Sequence, residues 1–274
     1  MKIKYLPTVF SLFLTNLNAF QWFERTFTPT MHVPARKLER KIENKYYKKY
    51  APYNETEATK CLFFTGGNSI IPSDLYNDFL TKLAQKNIVV NVVNDDLKKN
   101  PVILKSLTNN EPTVIVAHSS GAMDALSMCK YLDNVERMVL LDPVDNRILS
   151  DRDNVGKEYD LSYQKLNEIF MINAEKSYKW SIFPPKVPFI PIFSLTLDKL
   201  NVENKNKLTV REYGHSDILD YFWGLVMHST ISEGLDNRNP LMIEQYHEWL
   251  AELIGTYIQN NTIMRDNSII HYVD

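Results

Sequence analysis

The sequence predicts an α/β fold, with a mostly parallel sheet and helices on both faces. Short runs in which nearly every residue is apolar alternate along the chain with stretches whose apolar residues recur at helical spacing. Strands of a parallel sheet are buried on both faces and therefore read as continuous apolar runs. Their alternation with helices is typical of such a sheet. The predicted strands are residues 60–65, 88–93, 113–117, 138–141, 187–197 and 207–212, and the predicted helices are residues 73–85, 97–107, 121–132 and 241–258.

Local signals mark where these elements begin and end. The first strand (KCLFFT) stops at Gly66-Gly67, and the second (IVVNVV) is rich in the β-branched residues that favour strands. Ser73 can cap the first helix. The run TVIVA ends directly before a turn that contains two serines. Between residues 151 and 186 the order of the elements is obscure.

Composition and charge exclude several classes of protein. The chain has 274 residues, 44% of them apolar and 23% charged, with a formal net charge of −2. It is long enough for a continuous core, and its balance argues against a disordered or polytopic membrane protein. The near-neutral charge gives no footprint for nucleic acid. Cys61 and Cys129 lie in apolar segments, so we expect buried free thiols. We expect no metal or other cofactor, because the sequence has no ligand cluster, dinucleotide fingerprint or phosphate-binding loop.

Residues 1–19 and 20–50 are expected to precede the folded domain. A short basic start leads into the apolar run YLPTVFSLFL, which is too short to cross a bilayer and has the layout of a signal peptide cut after Ala19. Residues 20–50 are rich in threonine, lysine and arginine. The two parts together resemble the leader of proteins sent to plastids of secondary origin. The alternative is a secreted or endomembrane-lumen protein whose basic stretch is a solvated helix. Residues 51–274 are expected to form one domain.

The turn after residues 113–117 has the pattern of a nucleophile elbow. In the run AHSSGA, Ser119 has small residues, Ala117 and Gly121, at positions −2 and +2. The serine of an elbow adopts a strained backbone between a strand and a helix, and bulk at either flank would clash with them. Ser119 is therefore the candidate nucleophile, and the alternative is a plain turn in which it only caps the helix. Ser120 is the rival hydroxyl, but it lacks this spacing.

A serine nucleophile needs amide donors for the oxyanion. One is expected from the residue after the nucleophile, Ser120, and another from the loop after an earlier strand. Gly66, Gly67 and Asn68 lie in such a loop, where glycine lets the backbone approach a substrate carbonyl. The sequence does not indicate which of the three amides points inward, and an ordinary tight turn is the alternative.

His215 is the candidate general base. It lies in the run YGHSDILD, after a predicted strand and downstream of the serine and of candidate acids, which is the chain order Ser…Asp…His. His118 adjoins the nucleophile and is expected to point away from it. His247 is expected on the surface of the C-terminal helix, beside glutamates. The remaining histidines are less suggestive and are His32, His228 and His271.

Two aspartates compete to orient His215. Asp142 ends the strand after the nucleophile, in LLDPVDN, whereas Asp198 follows residues 187–197. Either could hold the imidazole in the right tautomer and stabilise its protonated form. Spacing alone does not separate them. Asp145 is a third choice, with capping of the next turn as its expected role.

The runs AHSSGA, LLDPVDN and YGHSDILD resemble three motif regions of chlorophyllases, a branch of the α/β-hydrolase superfamily. The resemblance covers residues 61–220 and implies an α/β-hydrolase fold in which Ser119 is the nucleophile, Asp142 the acid and His215 the base. Ser120, Ala122 and Asn146 depart from the chlorophyllase pattern, which has arginine or glycine there. These departures leave the roles of Ser119, Asp142 and His215 unchanged. They weaken the argument that the substrate is chlorophyll.

These observations predict a serine ester hydrolase that acts on an apolar carboxylic ester, and the resemblance implies dephytylation of chlorophyll. The alternative is a relative that binds a lipid or pigment, or transfers an acyl group, without hydrolase activity. The expected partners are the apolar ester and a peripherally contacted membrane. Residues 180–193 and 221–227 are rich in aromatic side chains that could wall a substrate pocket, but we expect most of them to be core.

Overall fold

Nine strands of the described chain form one sheet in the computed structural model of the protein. The structure describes residues 33–42, 45–108, 111–132, 134–145, 159–161, 166–178, 194–228, 239–263 and 270–271. The strands are β1 (Ala35–Ile42), β2 (Lys45–Pro52), β3 (Thr59–Phe64), β4 (Ile88–Val93), β5 (Thr113–His118), β6 (Val135–Leu141), β7 (Tyr159–Asp160), β8 (Glu168–Ala174), β9 (Leu200–Asn201), β10 (Asn204–Val210) and β11 (Ile270–His271).

The sheet is mostly parallel, as the apolar runs predict. Its order is β1-β2-β4-β3-β5-β6-β8-β10-β11, and the strands from β4 to β10 in that order pair in parallel. Strands β7 and β9 pair with each other in a separate small sheet. The register aligns Phe64 with Ala117, and His118 with Leu141, so the carboxyl ends of β3, β5 and β6 lie at one edge. Loops that leave this edge are where a parallel sheet binds ligands.

The hairpin of β1 and β2 corrects the expected boundary of the domain. Residues 35–50 were expected in a leader, but β1 and β2 pair antiparallel, and β2 continues the sheet by pairing with β4. Tyr50 is fully buried, whereas most of the charged side chains of β1 are exposed. Charged side chains are common on edge strands because they hinder pairing with other chains. The lysines and arginines of this stretch therefore lie on the hairpin at the edge of the described sheet, not in a separate leader. The expected signal segment and residues 20–32 lie outside the described residues.

The described helices occupy the connections between parallel strands and the C-terminal part of the chain. Pro101 begins a new helix where the sequence predicted one continuous helix, because proline suits the first helical turn and breaks an interior one. None of the described helices is long and apolar enough to span a membrane. The helices are α1 (Asn77–Gln85), α2 (Asp95–Lys98), α3 (Pro101–Thr108), α4 (Gly121–Cys129), α5 (Tyr221–His228) and α6 (Pro240–Asn260).

Strand β8 is an element that the sequence analysis missed. It lies between residues 151 and 186 and pairs with β6, the strand that ends directly before Asp142. Its run IFMI is continuously apolar and buried, which is the signal of a parallel strand and could have revealed it. Residues 187–193 of the predicted strand lie outside the described residues. At the end of that predicted strand, Ser194 forms an isolated bridge to Val144, and Leu197–Lys199 form a 3₁₀ turn.

Helices cover both faces of the sheet. On one face, Phe63 of β3 contacts Phe79 of α1, and Phe170 of β8 contacts Tyr257 of α6, with ring centroids 6.1 and 5.2 Å apart. The neighbouring residues along the strands point to the other face, where they form a buried apolar cluster with α3 and α4. Both faces of each central strand are therefore dry, which explains the continuous apolar runs.

Candidate active site

Ser119 lies on a tight turn between β5 and α4, with a backbone φ of 56°. A left-handed φ is strained for a residue with a β-carbon. Two hydrogen bonds hold the turn, from the Ser119 amide to the carbonyl of Leu141 at 3.0 Å and from the Val144 amide to the carbonyl of Ser119 at 3.1 Å. A β-carbon added at Gly121 would lie 2.3 Å from the carbonyl oxygen of Thr65, so only glycine fits there. These are the steric demands of a nucleophile elbow.

Three side chains from three loops meet at this edge of the sheet. His215 Nε2 lies 2.9 Å from Ser119 Oγ, and His215 Nδ1 lies 2.6 Å from Asp142 Oδ2. The three residues are 9%, 6% and 5% exposed in the order Ser119, His215, Asp142. A carboxylate only accepts hydrogen bonds, so the ring proton of the neutral imidazole is on Nδ1 and Nε2 is free to accept from the hydroxyl. The structure thus brings the predicted serine, histidine and aspartate into one hydrogen-bonded chain.

The acid in contact with His215 is Asp142. Its second oxygen, Oδ1, accepts the Ala174 amide at the end of β8 at 3.1 Å, so the carboxylate is held on both sides. Asp198, the alternative acid, is exposed and bonds the hydroxyl of Thr196. Asp145, the third choice, is buried, but the carboxylate oxygen within hydrogen-bond distance of His215 belongs to Asp142. The Ala174 amide that holds Asp142 comes from the end of β8, the strand that pairs with β6.

The structure narrows the choice of oxyanion donors in the glycine loop (residues 65–69). The Gly66 amide donates to the Tyr76 hydroxyl at 3.0 Å, and the Asn68 amide donates to Ser120 Oγ at 3.0 Å. Both amides were expected candidates, and both are directed at side chains instead. Of the three, the Gly67 amide remains, together with the amide of Ser120 on the elbow.

The glycine loop has a strained backbone that its neighbours hold in place. Gly67, Asn68 and Ser69 have φ values of 60°, 57° and 62°, three left-handed residues in succession. Each such non-glycine residue costs about 1–2 kcal/mol. Ser69 Oγ donates to Asp124 at 2.9 Å, and Lys98 bonds both Asp124 and the carbonyl of Asn68. Strain of this kind persists only where surrounding contacts enforce it.

His118 lies behind His215 and does not contact Ser119 Oγ. Its ring centroid is 4.7 Å from that of His215, and Nε2 lies 3.1 Å from the backbone carbonyl oxygen of His215. Burial, and then the charge of His215, lower the pKa of His118 well below its usual value of 6.5. As expected, the side chain points away from the hydroxyl of its neighbour.

His247 corrects an expectation, because it is fully buried rather than on the surface of α6. Its Nδ1 lies 2.8 Å from Asp78 Oδ2 on α1, and its Nε2 lies 2.9 Å from the carbonyl oxygen of Asp217. The helix packs this face against α1, which local sequence does not reveal. His32 and the side chains of His228 and His271 lie outside the described residues.

Helix α5 begins six residues after His215 and presents apolar side chains to solvent. Phe222 and Trp223 are 62% and 42% exposed, and Leu225 and Val226 are 45% and 42% exposed. These residues were expected to be core, so this part of the expectation is corrected. Residues 180–193 lie outside the described residues. Most exposed apolar residues occur singly, so four within one short helix form an unusual surface.

Two cavities lie near the site, one beside the hydrogen-bonded residues and one beside the β1–β2 hairpin. The described residues around Asp142 and His215 enclose about 10 Å³, roughly the space of one water molecule. A larger cavity of about 240 Å³ lies beside the β1–β2 hairpin, and it is lined by Thr65 and Ser69 of the glycine loop but not by the three residues of the hydrogen-bonded chain. In the part of the chain that the structure describes, no group of His, Cys, Asp or Glu side chains could hold a metal ion.

Comparison with solved structures identifies the fold. ESTFA, in its Fe-lacking apo form, is 12% identical over 90% of this chain and 92% of its own length, with a TM-score of 0.50. The protein has an α/β-hydrolase fold. An esterase/lipase from an uncultured bacterium is also similar, 6% identical over 82% of this chain and 84% of its own, with a TM-score of 0.50. No protein-family model matches the sequence, and no curated protein matches it.

Proposed function

We propose that this α/β-hydrolase is a serine ester hydrolase that works through Ser119, His215 and Asp142. The observation that carries the proposal is the continuous chain of hydrogen bonds from Ser119 Oγ through His215 to Asp142. Its parts have the relations that acyl transfer needs: a nucleophile on a strained elbow, a base within reach of its proton and a carboxylate that orients the base. One of the two solved structures of the same fold is named as an esterase/lipase, which agrees with this class.

In the proposed reaction, His215 Nε2 takes the proton of Ser119 Oγ while the oxygen attacks the ester carbonyl. Asp142 stabilises the imidazolium that forms and keeps its ring in the correct orientation. His215 then gives the proton to the leaving alcohol, and an acyl-enzyme remains on Ser119. Water, deprotonated by His215, attacks the acyl group and regenerates the serine.

Two backbone amides are proposed to stabilise the oxyanion. The Ser120 amide follows the nucleophile on the elbow, which is the usual position of one donor. The Gly67 amide is the second, since the amides of Gly66 and Asn68 are already committed to side chains. Preorganised donors of this kind are commonly worth about 10²–10³ in kcat.

The proposed substrate is an apolar carboxylic ester. Helix α5 supports this choice, because its exposed Phe222 and Trp223 lie on the segment that continues from the loop of His215. We also propose that the protein contacts membranes peripherally through this helix, as aromatic side chains favour the boundary between water and lipid. The choice of an apolar ester and the contact with membranes concern how the substrate reaches the site. Neither changes the proposed reaction at Ser119.

Dephytylation of chlorophyll is the finer proposal. It is supported by the resemblance of LLDPVDN and YGHSDILD to chlorophyllase motifs, and by the position of the acid at Asp142 within the first of them. Release of phytol from chlorophyll by the purified protein, followed by chromatography, is the direct measurement. Hydrolysis of short esters without release of phytol would reject chlorophyll and retain the esterase.

Replacement of Ser119 tests the proposed function. Ser119→Ala should lower kcat on a short chromogenic ester by at least about 10⁴-fold, since only binding and the oxyanion donors remain. Ser127→Ala is the matched control, because its hydroxyl bonds only a carbonyl of its own helix at 2.9 Å. Equal activity in Ser119→Ala and the unsubstituted protein would reject the assignment.

A further inference from the structure

A chain of buried polar groups joins the glycine loop to the backbone of His215. The Gly66 amide donates to the Tyr76 hydroxyl at 3.0 Å, and that hydroxyl lies 2.9 Å from His118 Nδ1. On the other side of the ring, His118 Nε2 lies 3.1 Å from the carbonyl oxygen of His215. Tyr76 and His118 are both buried. The chain therefore connects the loop of one proposed oxyanion donor with the segment that holds the base.

The direction of every hydrogen bond in this chain is fixed. A carbonyl oxygen only accepts, so His118 Nε2 carries the ring proton. A neutral imidazole has one such proton, which makes Nδ1 an acceptor and the Tyr76 hydroxyl its donor. The tyrosine oxygen is then free to accept from the Gly66 amide. One arrangement satisfies all the groups at once, as buried polar groups require.

The neutral state of His118 suits its position. Its ring is 4.7 Å from the ring of His215, which becomes positively charged in the proposed reaction. Burial, and then the charge of His215, hold the pKa of His118 well below its usual value. A second cation at this distance would oppose the charge on His215. A neutral His118 can anchor the backbone of the base without opposing its protonation.

The glycine loop packs directly on this chain. A β-carbon added at Gly66 would lie 3.1 Å from the Tyr76 hydroxyl oxygen and 3.3 Å from His118 Nδ1, both tighter than ordinary contacts. Because Asn68 and Ser69 of the same loop have a strained left-handed backbone, the position of the loop depends on such anchors.

We propose that Tyr76 and His118 are positioning residues, which keep the Gly67 amide and His215 in register with Ser119. The inference rests on the proposed esterase function and adds two residues that do not contact the reacting atoms. A displacement of about 1 Å among reacting groups can cost about 10²-fold in rate. Loss of the hydrogen bonds through Tyr76 and His118 should therefore lower kcat and leave the binding of substrate nearly unchanged.

Tyr76→Phe removes one hydroxyl and breaks the chain at its centre. We expect kcat on a short chromogenic ester to fall between about 10-fold and 10²-fold, with KM within about threefold of the original value. The matched control is Tyr50→Phe, since Tyr50 is also fully buried and its hydroxyl bonds the Ser73 carbonyl and Asn77 Oδ1 rather than a group of the glycine loop. This control should retain the original kcat. An unchanged kcat in Tyr76→Phe, or an equal loss in Tyr50→Phe, would overturn the proposal.

Two replacements of His118 separate positioning from packing. The amide of His118→Gln offers an acceptor and a donor with nearly the same separation as the ring nitrogens, whereas His118→Leu offers neither. We expect His118→Gln to keep kcat within about fivefold and His118→Leu to lose about as much as Tyr76→Phe. Equal losses in the two variants, measured on folded protein, would contradict a positioning role.

A spectroscopic measurement keeps this inference separate from the proposed function. In protein labelled with ¹⁵N-histidine, the His118 ring should show a protonated Nε2 and a hydrogen-bonded Nδ1, and Tyr76→Phe should shift the Nδ1 resonance. This result does not depend on ester turnover. A protonated Nδ1 would overturn the proposed chain even in an active enzyme. Conversely, an inactive unsubstituted protein with the expected resonances would reject the esterase and retain the chain.

Discussion

In the described part of the protein, two buried histidines each pair with an aspartate, and the two pairs are suited to different tasks. His215 and His247 both place Nδ1 close to an aspartate oxygen, at 2.6 Å from Asp142 and 2.8 Å from Asp78. They differ at Nε2. That of His215 faces the hydroxyl of Ser119, which can give up a proton, whereas that of His247 faces the carbonyl of Asp217, which has none. The group beyond the ring therefore decides whether such a pair can act as a base or only as a structural link.

The second pair fastens three segments together. His247 lies on α6, Asp78 on α1, and Asp217 in the loop that also holds His215. The carboxylate and the carbonyl both only accept hydrogen bonds, so both contacts are made together when the ring carries two protons. The link thus supports the loop of the proposed base without taking part in proton transfer.

Amide replacement of the two aspartates gives the largest expected contrast in activity. Asp142→Asn should lower kcat on a short chromogenic ester by about 10⁴-fold, because asparagine favours the wrong tautomer of His215. Asp78→Asn should change kcat by less than about threefold, because the ring it contacts has no hydroxyl beyond it. Circular dichroism confirms that both variants are folded. A loss of similar size in Asp78→Asn would remove the distinction between the pairs.

Replacement of His247 should have a large effect on stability. His247→Leu removes a fully buried ring together with its hydrogen bond to the carbonyl of Asp217. We expect the free energy of unfolding to fall by about 2–3 kcal/mol, measured by urea denaturation, with kcat preserved in the folded protein. His215→Leu is the matched variant, and it should abolish turnover. If His247→Leu lost turnover at full stability, its link would belong to the reaction.

The stabilising effect of Asp78 should depend on pH in a defined direction. Burial raises its pKa, but the hydrogen bond and charge of His247, together with Lys82, outweigh burial and leave the pKa below its usual value of 3.8. A lowered folded-state pKa stabilises the protein above the unfolded-state pKa, and this stabilisation is lost as the pH falls through the folded-state value. The difference in urea midpoint between the unsubstituted protein and Asp78→Asn should therefore be larger at pH 7 than at pH 3. A constant difference would mean that the charge of Asp78 has no part in the link.

Local patterns predicted much of the fold and part of the site. The parallel strands follow from their continuous apolar runs, and the elbow follows from small residues on both sides of Ser119, since both are short-range steric demands. The position of His215 after a strand was also readable, because loops at the carboxyl ends of parallel strands meet at one edge. These features depend on neighbours in sequence or on the general geometry of such sheets.

Long-range packing decided what the sequence left open or misassigned. His247 stands among glutamates on its helix, and contacts with α1 and with the loop of Asp217 bury it. The hairpin of β1 and β2 has the composition of a basic leader because it lies at the open edge of the sheet. The orientation of the glycine-loop amides is set by Tyr76 and Ser120, and the latter is 52 residues from Asn68. No spacing rule could have supplied these contacts.

Labelling with a fluorophosphonate tests the central claim most directly. The probe forms a covalent adduct with a serine that a neighbouring base activates. Peptide mass spectrometry should place the adduct on Ser119. We expect the adduct to form at similar rates in the unsubstituted protein and in Asp78→Asn, and far more slowly in Asp142→Asn. An adduct on another residue, or equal rates in the two aspartate variants, would contradict the assignment of Ser119, His215 and Asp142.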